Sequence, residues 1–410
     1  MSNNALIGEI ETWLLRKALG EPEIVTLFET LCQRLYAVGV PIERAALSWP
    51  TLHPLFRAEQ VFWWLDEGAK LEQYYHSSAG NKHWLASPFY HVLTHGLPRL
   101  RRRLTGEGAN LDFEVLKEFA EKGYTDYLLT ASHFRIAEVE LYEGGMTGTM
   151  ASWATRREDG FTDADLEALT RIQRVFAVAC RQVIQRRVMA NLATAYLGPT
   201  ASGRVLSGNI RRGDGEYISA VVWFSDLRGS TRLSDVMSPE DYLALLNCYF
   251  ECTAEPVIDH GGEILNYIGD GVMAIFPITN GETVEDAARK ATAAVDVALK
   301  RCAQSVAEGT PANAPLEFGI GLDVGELMFG NIGVLQRLAF SGIGRVVNGV
   351  QRIENLTKEL GEPVLATEAL ARVLPERWTP VGRRCFTDFQ RKVELFGYRP
   401  AEAAVQRAAE

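Results

Sequence analysis

The stretch Phe224-Ser225-Asp226-Leu227-Arg228-Gly229-Ser230-Thr231 decides how this chain is read. The apolar run Tyr217–Phe224 is a strand, and it ends on an aspartate. The small-residue turn Gly229-Ser230-Thr231 then opens a helix, whose first backbone N–H groups can hold phosphate oxygens. Further along, Ile268-Gly269-Asp270-Gly271-Val272 joins the strand-like runs Glu263–Ile268 and Val272–Phe276 in a hairpin signal. Two carboxylates brought side by side suit two hard divalent cations, spaced roughly 3.5–4 Å apart, that activate a hydroxyl and stabilise a leaving oxygen. Each aspartate alone has a plainer reading. Aspartate at a strand end is a common helix cap, and Asp-Gly is a common turn.

A third string is Phe340-Ser341-Gly342-Ile343-Gly344-Arg345-Val346-Val347-Asn348-Gly349-Val350-Gln351-Arg352. Asn348 and Arg352 stand four apart, on one face of a helix over Val346–Leu360. Asparagine can hold a ribose oxygen, and arginine can neutralise phosphate charge as a planar fork. By itself the pair also fits a polar surface helix.

In this order and spacing, the strings resemble the class III adenylate/guanylate cyclases over roughly residues 195–400. Leu322-Asp323-Val324-Gly325-Glu326 through Gly333 looks like the family's β-arm region, and Val393–Tyr398 like its final strand. The resemblance implies an α+β fold with a ferredoxin-like catalytic core. It implies active sites at a head-to-tail homodimer interface. One subunit would supply the metal aspartates, Asp226 and Asp270, with the Leu227 backbone beside them. The other would supply Asn348 and Arg352 for the transition state. The cofactor would be two Mg2+ or Mn2+ ions. The reaction would be attack of the ribose 3′-hydroxyl on the α-phosphorus of a nucleoside triphosphate, releasing pyrophosphate. Gly229, Ser230 and Thr231 would lie along the phosphates.

The base-reading positions depart from the family. Adenylate cyclases place lysine four residues before the second metal aspartate, where this chain has Asn266. The partner position, seven before the transition-state asparagine, is Ser341. Guanylate cyclases use Glu and Cys there, and this chain has neither. ATP is the favoured substrate, with GTP, a pyrimidine triphosphate, or a catalytically silent nucleotide-binding role as alternatives. The family's phosphate-binding lysine has no direct match; Thr387, Arg391 and Lys392 are the candidates.

Composition bounds the rest. The 410 residues suggest two or three domains at roughly 100–200 residues each. A net charge of −10 argues against a nucleic-acid or anionic-membrane binder. Glu9 and Glu11 sit where a signal peptide needs basic and apolar residues, and no apolar run reaches the ~20 residues of a span. The expectation is a soluble, cytoplasmic protein. The six cysteines form no CxxC pair; Cys248 and Cys252, one helical turn apart, have no further ligands in pattern and read as reduced.

The first half divides into N-terminal helices (1–39), an α/β region (40–162) and a signalling helix with linker (163–207), ahead of the catalytic domain (208–400). Ala45–Trp49, Glu59–Trp64, Thr125–Leu129, Ala137–Leu141 and Thr147–Trp153 read as strands, and 113–122 as a helix. Thr162 with Asp165 makes a short-armed capping box for a helix to about 198, either a coiled-coil element or packed on its own domain. The glycine-rich Gly208–Glu216 reads as the linker. Strand order and the Ser152–Leu166 ending resemble a GAF-type sensor domain, which implies an unidentified ligand or partner. His91 and His95, four apart, lack a third metal ligand. Trp49, Trp63, Trp64 and Trp84 read as core before pocket. Arg99, Arg101, Arg102 and Arg103 read as a solvated helix face.

Overall fold

The computed structural model describes residues 3–78, 80–135, 147–279, 281–386 and 391–400. The expected strand 137–141 and Thr387 lie outside them. The chain divides into two compact units, Met1–Ala195 and Tyr196–Glu410. Among the described residues no helix is long and apolar enough to cross a membrane.

The first unit begins with helices α1 (Asn3–Ala18) and α2 (Ile24–Ala37), then strands β1 (Arg44–Pro50), β2 (Phe56–Trp64) and β3 (Gly68–Tyr75). Short helices α3 (Lys82–Leu85) and α4 (Pro88–Thr94) precede β4 (Arg99–Arg103), α5 (Glu114–Glu121), β5 (Asp126–His133), β6 (Gly148–Thr155) and α6 (Asp163–Leu197). The strands form one antiparallel sheet ordered β3-β2-β1-β6-β5-β4. Helices α1, α2 and α6 share one core with it: Leu14, Phe28, Trp49, Trp63, Trp153 and Phe176 are all buried together. The capping box forms at α6, with Thr162 N–H donating to Asp165 at 2.8 Å and Asp165 N–H to Thr162 at 3.3 Å. α6 stays in this core as far as Val188, and its last turns expose Met189, Leu192 and Tyr196.

The arginine run corrects the sequence reading. Arg99–Arg103 is an edge strand, not a helix face. Arg101 grips the fully buried Asp126 at 2.6 Å, and Arg102 grips Asp112 at 2.7 Å. Charge that would suit a helix surface here supplies a partner for one acid that the fold buries, Asp126, and one at the surface, Asp112.

The second unit opens with α7 (Pro199–Leu206), ahead of the glycine-rich stretch. Then come β7 (Gly215–Leu227), α8 (Ser230–Val236), α9 (Pro239–Asp259), β8 (Glu263–Ile268), β9 (Gly271–Pro277) and α10 (Val284–Glu308). The rest is β10 (Phe318–Val334), β11 (Arg337–Ile343), α11 (Arg345–Leu360), β12 (Val364–Thr367), α12 (Glu368–Ala371), β13 (Trp378–Phe386) and β14 (Arg391–Tyr398). The sheet runs β13-β14-β12-β10-β7-β9-β8, with β11 paired to β10. β10 is one unbroken strand from Phe318 to Val334. Gly325 and Glu326 stay paired with Ala220 and Ser219 of β7, so the ladder never breaks.

Alternation along β7 feeds two layers. Val221 and Trp223 meet α9 and α10, while Ala220, Val222 and Phe224 meet α11 and β11. Helix α11 lies close on β10 because Gly319 and Gly321 carry no side chain there. A β-carbon on Gly321 would overlap the Val350 carbonyl and stand 2.8 Å from the Glu354 nitrogen, both backbone atoms of α11. Gly321→Ala is therefore expected to cost about 2–3 kcal/mol or more in chemical denaturation, through helix displacement rather than cavity formation. A loss within experimental error would show that α11 can shift freely.

Candidate active site

Asp226 occupies the end of β7, between glycines on both neighbouring strands, Gly271 of β9 and Gly319 of β10. A β-carbon at Gly271 would press on the Phe224 ring at 2.8 Å, and one at Gly319 would overlap the Glu354 carboxylate. The hairpin between β8 and β9, turned at Gly269 with φ 63°, brings Asp270 beside Asp226. Behind the strand, the Tyr249 hydroxyl of α9 donates to Ser225 Oγ at 2.9 Å, which fixes the residue next to Asp226.

The pair carries an electrostatic penalty. Burial pushes the Asp226 carboxyl up to about 7, helped by the charges of Asp270 and Glu354 and by a hydrogen bond with Asp270. The Asp270 Oδ2 atom is buried and meets no hydrogen-bond donor. Burial, followed by Asp270 and Asp226, also raises the Tyr242 hydroxyl of α9. Two crowded hard oxygens, one of them orphaned, fit a divalent cation such as Mg2+ or Mn2+. Among the described residues, no group of three or more His, Cys, Asp or Glu side chains is set to hold a metal. A cation here would draw its other ligands from substrate oxygens and water, as Mg2+ commonly does.

Glu354 is the residue that sequence reading missed. It is 6% exposed, and burial pushes it up to about 7, against the opposing pull of Arg228 and a Thr357 hydrogen bond. One signal was available: Glu354 falls in the apolar phase of α11 with Val346, Val347, Val350 and Ile353. At about 100° per residue, Glu354 lies about 200° around the helix from Arg352 and about 120° from Asn348. Glu354 faces its own Asp226, whereas Asn348 is exposed elsewhere on the helix and Arg352 is half-buried.

The other expected residues divide into groups. Asn266 of β8 and Ser341 of β11 meet: the Asn266 amide donates to Ser341 Oγ at 2.8 Å. Gly229 caps α8 with φ 72°, followed by Ser230 and an exposed Thr231. Leu227 is buried one step past Asp226. Lys392 of β14 lines a cleft of about 510 Å3 with Arg345, Gly349 and Ile353 of α11 and Arg372. Asp226 and Asp270 are not among that cleft's walls. The Arg391 side chain lies outside the described residues.

Comparison with known proteins adds the family. Residues 215–382 match the family described as the adenylate and guanylate cyclase catalytic domain. Over that stretch the second unit is similar to class III cyclase catalytic domains. The chain is 34% identical over 167 residues to an adenylate cyclase of Anabaena cylindrica, covering 40% of this chain and 33% of that protein. It is 31% identical over 149 residues to adenylate cyclase 1 of Rhizobium meliloti, covering 36% of this chain and 22% of that one. The match thus spans a third or less of either relative's length. The crystal structure of adenylyl cyclase CyaB from P. aeruginosa is 26% identical, with TM-score 0.39, over 46% of this chain and 96% of that one.

The second unit's carboxylate pair makes a pH-dependent prediction. In metal-free protein, folded Asp226 keeps its proton up to about pH 7, while an unfolded aspartate releases it near ~3.9. The folded state binds more protons across that window, so this group's contribution to stability falls as pH rises through it. Asp226→Asn should melt like wild type at pH 4 in chelator and progressively higher than wild type toward pH 8. A melting difference independent of pH would contradict the crowding of the two carboxylates.

Proposed function

We propose that this chain is an adenylate cyclase that converts ATP to 3′,5′-cyclic AMP and pyrophosphate, a phosphorus–oxygen lyase acting as a homodimer. The observation that carries the reading is the half-buried Asp226–Asp270 pair, with one carboxyl raised to about 7 and one buried oxygen orphaned. Two such oxygens held against burial and repulsion suit a site that expects positive charge. When bound, two Mg2+ or Mn2+ ions would supply Lewis-acid charge at the α-phosphate and at the attacking hydroxyl.

The chain's own residues divide the remaining work. Asp226 and Asp270 hold the cations, with the Leu227 backbone alongside. Gly229, Ser230 and Thr231 turn backbone and hydroxyl groups toward the phosphates at the start of α8. Asn348 holds the ribose, and Arg352 stabilises charge on the phosphorane-like transition state. Lys392, with Arg391 next to it in sequence, reaches the outer phosphates. Holding the 3′-oxygen in line with the scissile bond supplies much of the rate.

Helix geometry supports the dimer. A single α11 directs Glu354 at its own Asp226 and turns Asn348 and Arg352 to other faces. A second subunit is the source that brings an Asn348–Arg352 pair to the aspartates. The Asn266–Ser341 hydrogen bond supports adenine. Once the Asn266 N–H engages Ser341, the amide oxygen is left to accept and the serine hydroxyl to donate. That pattern complements the adenine amino group and N1. The first unit is a GAF-like sensor in this reading, biasing catalysis through α6, the covalent continuation into the catalytic half.

Purified protein with ATP, GTP, CTP or UTP and Mg2+ or Mn2+, assayed by mass spectrometry, should yield cyclic AMP foremost. Asp270→Ala should abolish product while leaving the fold intact. No cyclic product from any nucleotide would overturn the enzyme. Asn266→Ala should reduce the preference for ATP over GTP about tenfold in kcat/KM; an unchanged ratio would remove Asn266 from base reading.

A further inference from the structure

Helix α7 opens the second unit, and its first turn lacks the usual local cap. Gly198 stands at the N-cap position without a side chain to offer, and Pro199 after it has no N–H. The first donor of the turn is the Thr200 N–H, which donates to Glu263 Oε1 of β8 at 3.0 Å. Glu263 is buried. A carboxylate at a helix start is favoured by the aligned peptide dipoles. The turn lies directly on β8. Gly198 has φ 81°, and a β-carbon there would stand 3.1 Å from Glu263 Oε1 and 3.5 Å from the Ile264 carbonyl oxygen.

The strand that α7 grips is an interrupted one. β8 ends the sheet, with β9 as its strand neighbour. Its pairing slips between Ile264 and Asn266, so Leu265 is an extra residue in the ladder. A bulge of this kind breaks the ladder locally and re-aims the side chains beside it. Edge strands with interrupted pairing open more readily than central ones.

The extra residue is put to use. Leu265 shares a core with Ala201 of α7 and with Leu327, Phe340 and Val347. Its Cδ1 lies 2.9 Å from where a β-carbon on Gly342 would sit. Gly342 follows Ser341, and Asn266 follows Leu265. The bulge therefore delivers the Asn266 amide to Ser341 Oγ. The start of the same strand is held by α7 through Glu263.

We propose that Glu263 is a positioning residue for base recognition: by capping α7 it fixes the start of the bulged strand, and with it the place of the Asn266 amide, a role that rests on the reading of Asn266 and Ser341 as the pair that meets the base. Glu263 acts through β8 and touches no substrate. Plain helix capping would change stability without favouring one nucleotide over another.

The test compares Glu263→Ala with Glu263→Gln in the full chain, by hydrogen exchange and by kcat/KM for ATP and GTP. Alanine removes the acceptor, whereas glutamine keeps an oxygen in its place. In Glu263→Ala, exchange across residues 264–268 should quicken about tenfold or more while β10 and β12 keep wild-type protection. The preference for ATP over GTP should fall about threefold or more, in the direction of Asn266→Ala. Glu263→Gln should stay within about twofold of wild type on both readouts. Unchanged exchange across 264–268 in Glu263→Ala would overturn the proposal, as would glutamine as damaging as alanine. So would an equal fall in kcat/KM for both nucleotides where Asn266→Ala shifts the preference. If the protein makes no cyclic product, or Asn266→Ala leaves the preference unchanged, the base reading fails, and exchange across 264–268 alone decides the hold of Glu263 on β8. Should Glu263→Ala fail to fold, Glu263→Asp, whose carboxylate stops one methylene short of Thr200, takes its place with the same expectations.

Discussion

Two half-buried aspartates share one corner of the second unit, and the surrounding structure is arranged around that repulsion. Like charges at close range in a partly dry site are expensive, and a raised carboxyl pKa is the direct expression of the cost. Glycine at 271 and 319 clears the flanks of Asp226. Tyr249 holds Ser225 from behind, and Arg228 offsets the third carboxylate, Glu354. Without a cation the corner is under electrostatic strain; with one, the same crowding becomes affinity. The catalytic reading follows from this constraint more than from any single motif.

Helix α11 is the second consequence. Its close seating on β10 depends on Gly319 and Gly321, and that seating puts Glu354 against Asp226. One helix cannot turn the same face two ways. Once Glu354 is directed inward, Asn348 and Arg352 are committed to other faces. A site that needs all four residues must then be composite. The cleft holding Lys392, Arg345 and Arg372 lies on the α11 side, with the helix that carries Asn348 and Arg352 and without the aspartates.

Much of this was legible before any coordinates. Asp226 and Asp270 stood out because each interrupts an apolar strand with small residues beside it, and the register brings them together. The α6 capping box was readable because Thr162 and Asp165 bond locally. What escaped shares one physical cause: it depends on partners distant in sequence. Glu354 falls in the apolar phase of α11, but what it meets is fixed only by Gly319, which admits it to the corner. Arg99–Arg103 looks solvated until Asp126, buried on the next strand, claims Arg101. The continuity of β10 through Gly325 likewise depends on its pairing with β7.

The composite site is tested most directly by mixing two inactive proteins. Asp270→Ala lacks the metal corner but keeps Asn348 and Arg352; Arg352→Ala keeps the corner and lacks the fork. Each alone should make almost no cyclic AMP. Co-refolded or co-expressed, they should recover a substantial fraction of wild-type activity, because half of the sites in mixed dimers draw all four residues from intact partners. Equal inactivity of the mixture, with mixed dimers demonstrated by mass, would contradict the account and put all four residues in one chain's site.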